Sequence, residues 1–206
     1  VRVNEDGTIR IVMQDGINSN ANIAFNSNYN NYTYMYYTNS QAKTTLESWY
    51  QTNIGSKADL SKNVASGAYY CEQAKAKVSS SYTSGNANMT LYSSYTPDFK
   101  CSSDGNGKGV VSTSVGLLTY DEVVYAGGYY AQNNSNYYLN NPAIYWWTMS
   151  PAGFSGSDSY VWGVYTTGYI SLNYVNNSLR LRPVLILNAD TLVTGDGTSS
   201  DPFVVS

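Results

Sequence analysis

The pattern of hydrophobic and polar positions predicts strands near the start of the chain and again throughout its last third. Apolar and polar residues alternate over 8–13, directly after an Asp6-Gly7 turn signal, so residues 1–13 are predicted to form a β-hairpin. Residues 18–31 are rich in Asn and Ser and are expected to form a loop, whereas the aromatic run 32–37 predicts a strand. Later strands are predicted at 144–149, 160–166, 169–175, 179–187 and 202–205.

Two segments carry the start signal of a helix, a Thr followed three residues later by a Glu. They are Thr44-Thr45-Leu46-Glu47 and Thr119-Tyr120-Asp121-Glu122. The second helix is expected to stop at Gly127-Gly128, and a third helix is predicted over 57–65. Because helices come early and strands cluster late, we expect one α+β domain over 1–206, in which 190–206 forms a turn and an edge strand.

The composition restricts the classes of function that this chain can have. Of the 206 residues 22 are Tyr, and charged residues make up only 12% of the chain, with a net charge of −3. The basic surface that nucleic acid requires is absent, and no apolar run in the sequence is long enough to span a bilayer, so neither partner is expected. The sequence has no histidine, which excludes His-based triads and most catalytic zinc sites. We expect no catalytic residue, no metal and no cofactor.

The two cysteines, Cys71 and Cys101, are an even number in a chain whose composition is otherwise typical of extracellular domains. They are expected to form a disulfide that anchors the Ser- and Gly-rich segment 78–109. Two unpaired thiols are the alternative.

Two tracts rich in Tyr and Asn are candidate binding segments. The first, 129–141, connects a helix stop to a strand, and a simple connector needs no such side chains. The second, 160–177, contains a strand whose alternation puts Tyr169, Ser171 and Asn173 on one polar face. Tyr supplies a large, rather rigid ring and Asn supplies hydrogen bonds, as in antibody binding loops. A solvated loop with Tyr side chains inserted in the core, and an ordinary solvent-facing sheet, are the structural alternatives.

Several segments, taken in order, resemble one known group of proteins. The segments are Val3-Asn4-Glu5-Asp6-Gly7-Thr8-Ile9-Arg10-Ile11, Leu46-Glu47-Ser48-Trp49-Tyr50, the surroundings of Cys71 and Cys101, Val115-Gly116-Leu117-Leu118-Thr119-Tyr120-Asp121-Glu122 with Ala126-Gly127-Gly128, Tyr145-Trp146-Trp147-Thr148-Met149-Ser150-Pro151, and Arg182-Pro183-Val184 with Gly195-Asp196-Gly197-Thr198. Together they cover nearly the whole chain. They are similar to surface domains of gut Firmicutes and their phages that resemble the variable proteins of diversity-generating retroelements.

The resemblance implies a C-type-lectin-like fold of the formylglycine-generating-enzyme type, a twisted antiparallel sheet with flanking helices. In that family, adenine-directed mutagenesis changes Asn codons at scattered positions, which implies that 129–141 and 153–178 form a variable ligand-binding face. Trp147, Ser150 and Arg182-Pro183 would then be scaffold. The implied face consists of Tyr129, Tyr130, Asn133, Asn134, Asn136, Tyr137, Tyr138, Asn140, Asn141, Tyr145, Phe154, Asp158, Tyr160, Trp162, Tyr169, Ser171, Asn173 and Asn176.

The sequence departs from the catalytic and calcium-binding members of these families. The catalytic cysteines of formylglycine-generating enzymes have no counterpart in the strands near Arg182, and the Glu-Pro-Asn and Trp-Asn-Asp signatures of sugar-binding C-type lectins are missing. Neither oxidase activity nor calcium-dependent sugar binding carries over. After Cys71, the sequence has Glu72-Gln73-Ala74 where the family often has Asn-Asp-Arg.

The expected function is therefore non-enzymatic binding of a protein or glycan ligand on another cell or host surface. The domain is expected outside the cell, on a cell surface or a phage particle, and could belong to a larger surface protein or pilus. A structural pilus or phage-tail subunit without its own ligand is one alternative. The other is a carboxylate-dependent glycan-acting enzyme that uses a pair among Asp98, Asp121, Asp158 and Asp196.

Overall fold

The computed structural model describes residues 2–72, 89–90, 97, 99, 101, 109–191, 193–196, 198, 200–201 and 204–205. The helical segments are α1 Ile17–Asn20, α2 Gln41–Tyr50, α3 Ala58–Ser61 and α4 Tyr120–Tyr125, with 3₁₀ turns at Tyr32–Met35 and Tyr37–Asn39 and a π-helical turn at Gln51–Gly55. The strands are β1 Arg2–Val3, β2 Ile9–Val12, β3 Ile23–Ala24, β4 Tyr69–Cys71, β5 Met89–Thr90, β6 Val110–Ser112, β7 Tyr129–Tyr130, β8 Trp146–Phe154, β9 Ser159–Val164, β10 Tyr169–Tyr174, β11 Ser178–Leu179, β12 Val184–Leu187, β13 Val193–Thr194 and β14 Val204–Val205. The chain is of mixed α+β class, mostly sheet with few helices, in agreement with the class predicted from the sequence.

A five-stranded sheet in the order β5-β8-β9-β10-β7 carries most of the core. Neighbouring strands are antiparallel except β7 and β10, which run parallel. Strand β8 is buried along its whole length and contributes both Trp146 and Trp147. Trp147 packs edge-on against Phe25, whereas Trp146 lies beneath the guanidinium of Arg182. Both tryptophans therefore belong to the core.

The hairpin predicted at the start of the chain is confirmed. Strands β1 and β2 pair antiparallel, with Arg2 opposite Arg10, and Gly7 closes the turn with a φ of +81°. The side chain and backbone N–H of Thr8 donate to the Asp6 carboxylate, and these hydrogen bonds lower the pKa of Asp6. Because β2 also pairs with β12, the hairpin is joined to the C-terminal half of the chain.

Helix α4 begins at the capping box predicted from the sequence. The Thr119 hydroxyl accepts a hydrogen bond from the backbone N–H of Glu122, and the Glu122 carboxylate accepts one from the backbone N–H of Thr119. Gly127, with a φ of +111°, follows the helix as expected. The start and the end of this helix are thus both determined by local sequence.

Helix α2 begins at Gln41 and not at the predicted capping box. The Ser40 hydroxyl accepts a hydrogen bond from the backbone N–H of Lys43 and caps the helix one turn earlier. Glu47 lies inside the helix, where its carboxylate accepts hydrogen bonds from Lys43 and Thr113. The predicted start of this helix was wrong because the hydroxyl of Ser40, and not that of Thr44, supplies the cap.

Residues 32–37 form 3₁₀ turns and not the predicted strand. The side-chain oxygen of Asn31 accepts a hydrogen bond from the backbone N–H of Thr33 at 2.9 Å, which turns the chain where the strand was expected to start. Tyr37 is buried, and its hydroxyl donates to the carbonyl oxygen of Val115 at 3.0 Å. Burial raises the pKa of this hydroxyl. The aromatic run therefore fills the core without joining a sheet.

The strands of the last third lie near their predicted positions with shifted bounds. Strand β8 continues to Phe154, and the predicted strand 179–187 is divided into β11 and β12. Strand β11 pairs with β3, which lies in the segment predicted to be a loop. Strands β13 and β14 pair near the end of the chain, around a turn in which Gly195 has a φ of +88°.

The break between β11 and β12 places a buried cation in the core. The Arg182 guanidinium donates to the carbonyl oxygens of Leu139 and Met13, and lies 4.7 Å from the ring centroid of Trp146. Burial lowers the pKa of Arg182 to about 10. Pro183 follows and has no N–H to donate, so this segment does not continue as a regular strand.

A disulfide joins Cys71 and Cys101, as predicted, with Cα atoms 5.4 Å apart. Cys71 belongs to β4, which pairs with β6, so the bridge ties Cys101 to this small sheet. Most of the Ser- and Gly-rich segment 78–109 lies outside the described residues. Where helices are described, none has the length and apolar character needed to cross a membrane.

Candidate functional site

The two tracts rich in Tyr and Asn meet at one edge of the five-stranded sheet. Strand β7 pairs in parallel with β10, so that Tyr129 lies beside Tyr169 and Tyr130 beside Ile170. Beyond this pair, the backbone N–H of Ala131 donates to the carbonyl oxygen of Ile170 at 3.1 Å. The two tracts are therefore joined in space, although they are separated in sequence.

The loop that follows β7 is fixed to the turn between β9 and β10. The backbone N–H of Asn134 donates to the carbonyl oxygen of Thr167 at 3.1 Å, and the Thr167 hydroxyl donates to the side chain of Asn133 at 2.9 Å. The Asn134 amide also donates to the carbonyl oxygen of Gly127 at 2.6 Å. Gly168 has a φ of +74°, and a Cβ at this position would overlap the carbonyl oxygen of Asn134. The close approach of loop and turn therefore requires glycine.

Four tyrosine rings form a row that runs from this edge of the sheet to the start of β8. Tyr145 packs edge-on against Tyr165 with ring centroids 4.7 Å apart, and Tyr165 contacts Tyr169 at 5.8 Å. Tyr129 is the pairing neighbour of Tyr169. Tyr129 and Tyr145 are each 41% exposed, and the two middle rings are half-buried. The Tyr165 hydroxyl donates to the side-chain oxygen of Asn173 at 3.0 Å, which fixes the middle of the row.

We call these rings and the polar residues next to them the tyrosine–asparagine surface. It consists of Tyr129, Asn133, Asn134, Asn136, Asn140, Tyr145, Tyr165, Tyr169 and Ser171, all exposed or half-buried. The predicted set did not include Tyr165, although alternation along β9 places it opposite the buried Trp162 and could have identified it. Asp158 is the only charged residue between Val123 and Leu179, so the side chains of this surface carry no formal charge at neutral pH.

Five of the residues predicted to bind ligand are buried, and for them the prediction of an exposed face is wrong. They are Tyr137, Asn141, Phe154, Trp162 and Asn173. The Tyr137 hydroxyl donates to the carbonyl oxygen of Gly168, and burial raises its pKa. The Asn141 amide donates to the carbonyl oxygen of Gln14 at 2.8 Å. Tyr137 and Asn141 thereby fix the segment after β7 to the rest of the fold.

The polar face predicted for β10 is correct only at its start. Tyr169 and Ser171 belong to the tyrosine–asparagine surface, but Asn173 is buried because a neighbouring glycine of β9 leaves room for its amide. On the other side of the strand, Leu172 and Tyr174 are 42% and 45% exposed. The sheet therefore has a second exposed aromatic area on its opposite side.

The remaining predicted residues lie apart from the tyrosine–asparagine surface. Tyr160 stacks on Tyr174 with ring centroids 4.7 Å apart, and the hydrogen bond between the two hydroxyls raises the pKa of Tyr174. Asp158 precedes β9 and Asn176 follows β10. Two more of the predicted residues also lie outside this surface. Tyr130 packs against the ring of Trp162, and Tyr138 lines a separate cavity.

The carboxylates considered for catalysis have different surroundings. Asp121 is buried in α4, Asp158 is half-buried, Asp196 is exposed, and Asp98 lies outside the described residues. Hydrogen bonds from Thr198 lower the pKa of Asp196. Within the described ranges, no group of three or more His, Cys, Asp or Glu residues is placed to hold a metal ion.

Known proteins offer no direct guide to this site, since no protein-family model, curated protein or solved structure matches the chain. Its chemistry follows from its own side chains. The rings provide stacking faces, and the amides and hydroxyls both donate and accept hydrogen bonds. The tyrosine–asparagine surface contains no carboxylate, amine or thiol, so its side chains are suited to binding.

Proposed function

We propose that this chain is a non-enzymatic ligand-binding domain and that the tyrosine–asparagine surface is its recognition face. The observation that carries this proposal is the joining of two distant tracts by strand pairing and hydrogen bonds into one surface of fixed rings and amides. Such rings bury area with little loss of side-chain entropy, and Asn and Ser adapt their hydrogen bonds to different ligands. A neutral patch on a protein or a glycan is the ligand that fits this chemistry.

We also propose that the domain is related to the variable proteins of diversity-generating retroelements. The ordered segments that resemble variable proteins of diversity-generating retroelements support a C-type-lectin-like fold and display on a bacterial or phage surface. The disulfide between Cys71 and Cys101 is in accord with a location outside the cell. On this proposal, exposed Tyr and Asn residues are the variable positions, while buried ones such as Trp162 and Asn173 are scaffold.

Substitution at the two ends of the tyrosine row tests the recognition face. Tyr129→Ala and Tyr145→Ala are each expected to weaken ligand binding by about ten-fold, because each removes an exposed ring from the contact area. The free energy of unfolding should change by less than about 1 kcal/mol. The ligand is first identified on arrays of glycans and surface proteins, and its affinity is then measured by titration.

Tyr174→Ala is the matched control, since Tyr174 has similar exposure on the other side of the sheet. It should leave the affinity unchanged. Equal binding by the wild-type protein and all three variants would show that the ligand contacts another part of the molecule.

Binding to the tyrosine–asparagine surface is expected to depend little on salt. The surface has no formally charged side chain, so added ions have no interaction to screen. Raising NaCl from about 50 to about 500 mM should change the Kd by less than about two-fold. Calorimetric titrations at both concentrations measure this, and a loss of affinity of an order of magnitude would contradict recognition by neutral groups.

A structural subunit of a pilus or phage tail is the second candidate function. The exposed Leu172 and Tyr174 on the opposite side of the sheet favour it, because such side chains often lie at subunit contacts. Light scattering on dilute protein separates the two functions. A stable oligomer that Leu172→Lys dissociates would support the subunit, and a monomer would support the binding domain.

A further inference from the structure

A cavity of about 690 Å³ is lined by residues outside the tyrosine–asparagine surface. It lies beside the β1–β2 hairpin, residues 65–68 and helix α4. Aromatic and charged residues line it together, among them Arg2, Glu5, Asp6, Phe99, Tyr125 and Tyr138. The volume is large enough for a side chain or a small ligand.

Three aromatic rings of this cavity are exposed to solvent. The exposed fractions are 45% for Phe99, 69% for Tyr125 and 64% for Tyr138. Phe99 and Tyr125 pack edge-on with centroids 5.4 Å apart. The Arg2 guanidinium lies 5.2 Å from the centroid of the Phe99 ring, within the range of a cation–π contact. One of these rings, that of Phe99, therefore already contacts a cation, which the chain itself supplies.

The hydrogen bonds along the hairpin leave acceptors available in this cavity. Arg2 donates to the side chain of Asn4, Asn4 donates to the Thr8 hydroxyl, and that hydroxyl donates to Asp6. Neither Glu5 nor Asp6 forms an ion pair with any residue in the described part of the chain. A carboxylate only accepts hydrogen bonds, and an ammonium or guanidinium group only donates them. The carboxylates of Glu5 and Asp6 are therefore complementary to a cation.

One of the contacts of Arg2 is a long ion pair with Glu122. Its Nη1 is 3.8 Å from the Glu122 carboxylate, and its side chain is 40% exposed. Glu122 does not depend on this contact, because Arg10 donates to both of its carboxylate oxygens. At this distance the contact is weaker than the close pair between Arg10 and Glu122. Glu122 would therefore keep its counter-charge if a second cation displaced Arg2 from this contact.

We propose that this cavity binds a lysine or arginine side chain from an extended basic segment of a partner protein. The rings of Phe99, Tyr125 and Tyr138 surround the cation, and Glu5 and Asp6 supply the opposite charge. The site is distinct from the tyrosine–asparagine surface and differs from it in charge preference. One domain would thus hold two partners, or two parts of one partner, by separate chemistry.

The test uses the full chain and two synthetic peptides. One is acetyl-Gly-Lys-Arg-Lys-Gly-amide, and the other has norleucine in place of each cationic residue. Calorimetric titration at low salt should detect binding of the basic peptide alone. That binding should weaken by about ten-fold or more when NaCl is raised from about 50 to about 500 mM.

Substitutions at exposed residues locate the peptide. Tyr125→Ala and Glu5→Gln should each weaken binding by about two- to five-fold. Arg2→Gln should strengthen it by about three-fold, because it removes both a competing cation and a like charge. Tyr129→Ala, on the tyrosine–asparagine surface, should leave it unchanged, and thermal melting confirms that each variant is folded.

Three results would overturn the proposal. The first is equal binding of the basic and norleucine peptides, which would mean that the cavity takes apolar groups. The second is failure of the basic peptide to bind either the wild-type protein or the Arg2→Gln variant. The third is binding of a neutral oligosaccharide such as cellotetraose that is lost in Tyr125→Ala, without binding of the peptide.

Discussion

Glu122→Gln is expected to lower the free energy of unfolding by about 3–5 kcal/mol. The Glu122 carboxylate accepts hydrogen bonds from the Arg10 guanidinium and from the backbone N–H of Thr119, and both charged side chains are almost fully buried. With a neutral amide at this position, the Arg10 charge remains inside the protein without its counter-charge. The capping box at the start of α4 is weakened by the same change. Urea unfolding followed by circular dichroism measures the loss.

Glu47→Gln is the matched control for this substitution. Glu47 pairs with Lys43 at 2.6 Å within α2, but this pair is partly exposed. Its loss should cost less than about 1 kcal/mol. Equal, small effects of the two substitutions would show that the Arg10–Glu122 pair does not join the β1–β2 hairpin to α4.

The buried pair also predicts how stability responds to acid. Burial alone would raise the pKa of Glu122, but the charge of Arg10 and the hydrogen bonds from Arg10 and Thr119 outweigh it and hold the pKa below its usual value. Because the folded-state pKa is the lower one, the stabilisation is complete above the unfolded-state value of about 4.3 and is lost as the pH falls through the folded-state value. The difference in stability between the wild-type protein and Glu122→Gln should therefore shrink below about pH 4.

Gly168→Ala is expected to destabilise the fold by about 3 kcal/mol and to displace the loop after β7. Gly168 has a φ of +74°, which alanine adopts at a cost, and the added Cβ would overlap the carbonyl oxygen of Asn134. This neighbour is a backbone atom, so relief requires the whole loop to move away from the turn. Ligand binding should be lost together with the hydrogen bond from Asn134 to Thr167. Urea unfolding and ligand titration measure the two effects.

Gly67→Ala separates the steric effect from the conformational one. Gly67 has a φ of +71°, but, its two chain neighbours apart, no atom of the described residues lies within 4 Å of a Cβ placed there. The alanine should therefore cost only about 1 kcal/mol of backbone strain and leave ligand binding intact. If both alanines had the same effect, close contact between loop and turn would not be what holds the tyrosine–asparagine surface together.

Features that depend on neighbours in sequence could be predicted from the sequence. The first hairpin depends on the turn at Gly7. The cap of α4 depends on Thr119 and Glu122, which are only three positions apart. The failed prediction of a strand at 32–37 had the same kind of cause, since the side chain of Asn31 turns the chain locally. The aromatic composition of that segment gave no sign of this hydrogen bond.

The candidate site could be predicted only in part, because composition does not determine which way a side chain points. Tyr137 and Tyr138 are adjacent and identical, yet one is buried and the other is exposed. Tyr137 packs against Gly127 and Gly168, where the absence of side chains leaves room for its ring. The parallel pairing of β7 with β10 joins residues about 40 positions apart and has no local signal.

Sequencing the gene and its flanking DNA from many cells of one population tests the recognition face most directly. We predict substitutions at adenine-containing codons of exposed residues such as Tyr129, Asn133 and Tyr145, with Trp162 and Asn173 unchanged. A reverse transcriptase gene and a template repeat should lie nearby. Variation that is equally frequent at buried and exposed positions, or no variation at all, would contradict a diversified binding surface.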